Sequence, residues 1–164
     1  MKKIEKTNAA RLLDRLDIPY TLHPYPVDEQ NLDARTVALH LGEDIRRVFK
    51  TLVLRGDRAG LLAFLLPGDL ELDLKTAARL SANKRVDMLP VKELLPATGY
   101  IRGGCSPLAM KRPLPTWIHH ACQQFDTIFV SAGIRGLQIR LAPADLLRAT
   151  RATIADLTPN TTET

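Results

Sequence analysis

Long apolar runs are missing from this sequence. No stretch approaches the roughly 18 to 20 apolar residues that span a bilayer, and the opening Met1–Lys6 is charged, unlike an export signal. A membrane-embedded or secreted protein is therefore not expected. Cysteine is nearly absent: Cys105 and Cys122 lie in unrelated contexts, without CxxC spacing or a neighbouring His/Asp ligand pattern. That excludes a disulfide framework and gives no support to a zinc site, so no metal is expected and a reduced, cytoplasmic compartment fits best. The nucleotide fingerprints GxGxxG and GxxxxGK[ST] do not occur in a strand-to-helix context. Repeats, low-complexity tracts and internal linkers are missing as well.

What is present is a chain of 164 residues, 45% hydrophobic, long enough for one core and too short for two comfortable domains. The expectation is a single domain over 1–158 with a loose tail at 159–164. Lys and Arg outnumber Asp and Glu by 23 to 18, which favours an anionic partner. The basic residues form short knots: Arg46-Arg47-Lys50, Lys84-Arg85, Lys111-Arg112 and Arg148/Arg151. They either track a phosphate backbone together or are solvated surface charge.

Apolar residues at Ala9, Leu12, Leu13 and Leu16 predict a first helix capped by Thr7 or Asn8. A short strand is expected within Ile18–Tyr25 and a helix over roughly Leu32–Leu41, stopped by Gly42. VFKTLVLR and LLAFLLP flank GDRAG between Val48 and Pro67, the pattern of a β-hairpin buried on both faces. Then follow a helix Leu74–Leu80, a strand Arg85–Met88, a helix Val91–Leu95, and a strand at Tyr100 running into a glycine turn. Further strands are expected at Thr116–His119, Thr127–Ser131 and Leu137–Leu141, and a closing helix at Pro143–Arg151. The fold class is mixed α/β, a curved, barrel-like sheet packed by helices.

Lys50 shares a strand face with Val48, Leu52 and Leu54, where an ammonium is costly. It either snorkels to solvent or meets an anionic or polar ligand. In Gly103-Gly104-Cys105-Ser106-Pro107 the paired glycines either let backbone N–H groups approach a ligand, as an oxyanion hole requires, or merely satisfy a tight turn. Ser131-Ala132-Gly133 is either the opposite lip of a pocket or a strand connection. A catalytic thiol at Cys105 needs a base, and sequence brings none of His23, His40, His119 or His120 to it. His119 and His120 are expected on opposite strand faces, against joint metal binding. Trp117 and Phe125 read as core rather than as platforms for bases.

VFKTLVL around Lys50, LELDLKTAARL from Leu70, GYIRGGCSPLAMKRPLPTWI from Gly99 and TIFVSAGIRGLQIRL from Thr127 together resemble the YbaK/EbsC family of aminoacyl-tRNA deacylases. That family is related to the editing domain of bacterial prolyl-tRNA synthetases. The likeness runs from the first helix to Leu157 and is strongest to the Cys-tRNA(Pro) deacylase branch. It implies that Lys50 is the essential lysine, and that Gly103, Ser131 and Tyr25, in HPY, contact the aminoacyl-adenosine end. It also places Gly104, Cys105, Ser106, Gly133, Leu32 and Gln138 about the substrate. Leu32 stands where close relatives carry an aromatic residue, Gln138 where they carry aspartate, and Cys105 where an aliphatic residue is usual, changes that bear on which amino acid fits. The implied reaction is substrate-assisted: the cysteine thiol attacks its own ester, without a protein nucleophile or cofactor. Implied partners are the 3′ end of Cys-tRNA(Pro) and, transiently, prolyl-tRNA synthetase, with no DNA and no membrane. A hydrolytic deacylase for Ala-tRNA(Pro) and a non-catalytic tRNA- or synthetase-binding module stand as alternatives.

Overall fold

The computed structural model describes residues 4–58 and 60–158; the tail 159–164 and Ala59 of the hairpin loop lie outside the described residues. Side-chain caps set the helix starts. Thr7 Oγ1 accepts from Ala10 N to open α1 (Asn8–Arg15), Asp33 from Thr36 N to open α2 (Ala34–Leu41), and Asp73 from Thr76 N to open α3 (Leu74–Leu80). The Asp33 cap is why α2 begins after Leu32 rather than at it. Gly42, at φ +68°, ends α2 in the left-handed conformation that glycine adopts without strain. Helix α4 (Val91–Thr98) runs past the expected Leu95 and carries Pro96 in its last turn, where Thr98 Oγ1 donates to the Leu94 carbonyl.

Among the described residues, eight short strands form two sheets. One is three-stranded, β1 (Thr21–Pro24), β7 (Leu137–Leu141) and β6 (Ile128–Ser131), in that spatial order. The other is five-stranded, β4 (Val86–Met88), β2 (Phe49–Gly56), β3 (Gly60–Pro67), β5 (Thr116–His119) and β8 (Thr153–Ala155). A parallel bridge between Val48 and Phe129 stitches them, so the curved sheet is divided at one seam. Strand β3 is buried through Leu62–Leu66, whereas β2 is buried at Phe49, Val53 and Leu54 and only half-buried between them.

The central core lies between the ladders: Phe49, Leu65, Ile118, Ile128, Val130 and Ile139 pack with Ala9 and Leu13 of α1 and Leu146 of α5 (Pro143–Thr150). Helix α3 covers Leu54, Leu62, Phe64 and Leu66 on the outer face of the hairpin, and α2 covers Val48 and Phe129 at the seam. Trp117 stacks on Phe64 at 5.1 Å and Phe125 packs on the central core, both as expected. Full burial of each such side chain is worth about 1.5–3 kcal/mol, and that sum, rather than helix propensity, holds these short elements.

Two expectations fail. Tyr100 begins no strand: its N–H is taken by Thr98 Oγ1 and its hydroxyl by the Leu108 carbonyl, which commits the segment to a turn. His119 and His120 do not diverge across a strand. β5 ends at His119 and a 3-10 turn, His120–Gln124, starts there, so the rings stack at 4.4 Å.

Candidate functional site

β2 has one edge fully paired, to β3 from Phe49 to Gly56. Its other edge is paired only at the ends. Val48 bridges Phe129, while Leu54–Gly56 pair with β4 and the Val53 carbonyl accepts from Leu89 N at 3.0 Å. Between these anchors the edge opens onto a cavity of about 720 Å³. Every residue from Phe49 to Val53 lines it, from both faces of the strand, as happens when a ligand space meets a strand edge-on.

Lys50 is held in this opening. Burial pushes its amine below the ordinary lysine value, partly opposed by the charges of Glu71 and Asp69, and Nζ lies 3.5 Å from the Gly68 carbonyl. Leu32, Gly103, Cys105, Ser131 and Gln138 line the same space, so six of the ten residues singled out from the sequence converge. Ser131 and Gln138 face each other across the β6–β7 ladder. Gln138 is 5% exposed, and its Oε1, like Thr51 Oγ1, is buried with no hydrogen-bond partner among the described residues. An unpaired buried polar atom costs about 1–3 kcal/mol, so these two residues of the cavity lining each carry an unmet polar group beneath its surface.

The other four, Tyr25, Gly104, Ser106 and Gly133, do not line this cavity. Gly104 lies against the backbone of Ile134 and Arg135, where a Cβ would come within 3.0 and 3.1 Å. Gly133, at φ +103°, lies under the Tyr100 ring. Ser106 is fully buried and accepts from Leu108 N. The two glycine turns thus interlock, and Arg135 Nε donates to the Arg102 carbonyl across them. Tyr25 lines a separate hollow of about 10 Å³, walled by Leu32, Gly103 and Arg135. Sequence reasoning missed Thr51, Arg35, Arg102 and the apolar wall of Met88, Leu89, Val91 and Leu94. Only Thr51 carried a signal, a hydroxyl inside an apolar strand.

The cavity lining contains no histidine, and burial pushes the Cys105 thiol up to about 12. A protein thiolate nucleophile is therefore unsupported. The basic knot at 46–50 is split: Arg46 pairs with Asp44, Arg47 is spent on the Thr127 carbonyl and hydroxyl, and only Lys50 reaches the cavity. Arg35 and Arg102 join it there.

His119, His120 and Asp156 cluster at the far end of β5. The N–H of Ala121 donates to His119 Nδ1 at 3.0 Å, which fixes the ring proton on Nε2. Nε2–H faces Asp156 at 3.4 Å without forming a hydrogen bond, and burial, then His120, lowers the pKa of His119. With Nδ1 accepting, the Nε2 lone pair a metal needs is not free, so the trio serves as a cap and contact.

The aminoacyl-tRNA editing domain model matches residues 28–149, which includes every cavity residue named above. An Enterococcus faecalis protein, EbsC, described as a candidate Cys-tRNA(Pro)/Cys-tRNA(Cys) deacylase, is 45% identical over 96% of both chains. A solved structure described as a candidate trans-editing enzyme for prolyl-tRNA synthetase superposes with a TM-score of 0.80 at 24% identity, over 96% of this chain and 100% of that one. A hypothetical protein of known structure superposes with a TM-score of 0.83 at 20% identity, covering 92% and 99%. Both structures share the fold, no helix among the described residues is long and apolar enough to cross a membrane, and the chain belongs to the aminoacyl-tRNA editing domain family.

Proposed function

We propose that this protein is a trans-editing deacylase that removes cysteine from mischarged Cys-tRNA(Pro), by cleavage assisted by the substrate's own thiol. The observation that carries this reading is a cavity with a half-buried ammonium and a glycine turn on its wall, and with no base beside its one cysteine. Such a site positions and stabilises rather than attacks. The substrate sulfur bonds to its ester carbonyl carbon, and the bond from that carbon to the ribose oxygen breaks. The thiol proton passes to the ribose oxygen, releasing a cyclic cysteine thiolactone and tRNA with a free hydroxyl. Lys50 and the backbone N–H of Gly103 offset the charge that develops on the carbonyl oxygen, the Gly104 N–H being taken by the Ile101 carbonyl, and Arg35 and Arg102 take the adjacent phosphates. The 45% identity to a protein named for Cys-tRNA(Pro) and Cys-tRNA(Cys) supports the cysteine assignment. A domain this small reads little of a tRNA body, so a transient complex with prolyl-tRNA synthetase supplies tRNA identity in a reduced, cytosolic compartment.

Single-turnover deacylation of Cys-tRNA(Pro), Ala-tRNA(Pro) and Pro-tRNA(Pro), with and without the synthetase, tests this. Rapid loss of cysteine with thiolactone released is the expected result. Selective loss of alanine assigns the protein to hydrolytic editing, and no loss from any substrate reduces it to a binding module.

A further inference from the structure

The cavity lining holds one amine. Lys50 is its single lysine, and Arg35 and Arg102, the cations that share the lining, are guanidiniums that stay protonated and do not add to carbonyl carbon. The lining has no histidine, and the Cys105 thiol, pushed up to about 12 by burial, is almost wholly protonated near neutral pH. The hydroxyls of Thr51 and Ser131 are far weaker nucleophiles than a free amine. Lys50 forms no ion pair among the described residues, and its Nζ has only the Gly68 carbonyl at 3.5 Å. Burial favours its free amine more than Glu71 and Asp69 favour the ammonium. Lys6, Lys75, Lys84, Lys92 and Lys111, by contrast, are exposed and lie outside the lining. A cavity of about 720 Å³ has room for a small acyl compound beside Lys50.

We propose that Lys50 is an acylation site for small thiolactones, the class of product released in the reading above, and that the adduct switches the site off. The source of the thiolactone rests on that reading; the reactivity of Lys50 does not. The Nζ lone pair of the free amine adds to the thiolactone carbonyl carbon, and the ring bond from that carbon to sulfur breaks. The sulfur takes up the proton that the nitrogen loses. The product is an amide at Nζ with a free thiol, so nothing leaves and no oxidant or reductant is needed. An amide carries no charge, and the cation that offsets the developing oxyanion is lost with it. The two roles draw on opposite protonation states: the ammonium serves deacylation, and the amine takes the acyl group. Acylation therefore grows over the pH range in which deacylation falls.

Homocysteine thiolactone, supplied from outside so that the test does not depend on turnover, is incubated with the intact protein. Peptide mass mapping follows each lysine for the gain of one whole thiolactone. Lys50 is expected to label about tenfold or more faster than any other lysine, at a rate that saturates with thiolactone and rises with pH. Urea-unfolded protein is expected to label its lysines evenly, and Lys50→Arg to lose the fast adduct while its exposed lysines label as in the wild type. Protein fully labelled at Lys50 is expected to deacylate Cys-tRNA(Pro) about 100-fold more slowly than unlabelled protein. Even labelling of the folded protein, or a fast adduct that Lys50→Arg retains, overturns the acylation site and leaves the deacylase reading standing. Full labelling at Lys50 with deacylation undiminished overturns the switch. Fast labelling of Lys50 in a protein that deacylates no substrate overturns the deacylase reading and supports the acylation site.

Discussion

The seam cavity and the histidine corner at the end of β5 are both clusters of polar side chains at the margins of strands. At the seam, β2 has a stretch of edge with no strand beside it, and Lys50, Thr51 and Gln138 are among the residues around the cavity there. At the corner, β8 pairs with β5 up to His119↔Ala155, and the polar groups turn on one another: the His119 ring caps the next turn and Asp156 accepts from Thr158. The difference lies in what the backbone leaves unpaired, not in how many titratable groups assemble. The corner holds more chemistry by residue type and leaves His119 Nε2 without a hydrogen-bond partner among the described residues, but the seam has the room for a ligand.

The hardest test of that contrast is Lys50→Ala. It is expected to slow single-turnover deacylation by about 100-fold or more, the scale of losing one charged group that stabilises a developing oxyanion. Its melting temperature is expected to stay within a few degrees of the wild type, because the half-buried ammonium makes only a long contact to Gly68. The charge itself is testable. Burial lowers the pKa of Lys50, and the ammonium is present below that pKa and lost above it. After subtraction of spontaneous ester hydrolysis, the enzyme-dependent rate is expected to fall as pH rises through a midpoint below 10.5, and Lys50→Arg is expected to remove that limb. A limb that persists in Lys50→Arg assigns it to another group.

Next in size is Gly104→Ala. A Cβ there meets the backbone of Ile134 and Arg135, which cannot rotate away as a side chain can. A loss of about 1–3 kcal/mol is expected, read as a fall of several degrees in melting temperature. The deacylation rate falls with it, because Gly103 and Cys105 on the wall move with the turn. Unchanged stability would mean that the two turns are not interlocked.

Most elements were legible because their signals are local. The cap at Thr7, the stop at Gly42 and the apolar runs flanking GDRAG each act within a few residues, whereas the caps at Asp33 and Asp73 were not read, which is why the second helix was expected to start at Leu32. The convergence of Lys50, Gly103 and Ser131 was legible only through resemblance, since it depends on the Val48–Phe129 bridge, which no short window encodes. Thr51 was passed over because alternation counts a threonine among apolar neighbours as a tolerated strand residue. The failure at Tyr100 has a similar root: an aromatic followed by isoleucine has strand propensity, but Thr98 and Leu108 take its polar groups. At His119–His120 the period-2 rule was applied one residue beyond the end of its strand.

At the corner, effects shrink. His119→Ala is expected to cost about 1–2 kcal/mol, chiefly the lost cap on Ala121 N, with deacylation unchanged. His119→Asn, which restores a capping acceptor, should recover part of it. A defect in deacylation that exceeds the fraction unfolded would bring the corner into the site and erase the contrast with the seam.

The smallest effect is the most discriminating. His119 and Asp156 lie 3.4 Å apart, close enough for an ion pair. A buried ion pair broken by removing one partner costs about 3–5 kcal/mol, because it strands a charge. Yet burial and the neighbouring His120 lower the pKa of His119, Asp156 is largely exposed, and its carboxylate is already engaged by Thr158 N and Oγ1. The imidazole is then neutral at pH 7, and Asp156→Asn, whose amide oxygen still accepts from Thr158, is expected to change stability by less than about 0.5 kcal/mol. The sign with pH follows. A histidine held neutral by the fold takes up its proton more readily when unfolded, so stability is full above 6.5 and declines as pH falls from that value toward the lowered folded one. Urea unfolding of wild type and Asp156→Asn at pH 7 and pH 5 reads both. A loss of several kcal/mol in Asp156→Asn at pH 7, shrinking in the high-salt buffer that screens charges, would make the corner a charged clasp and show that its polar groups, like those of the seam, are held away from their ordinary state.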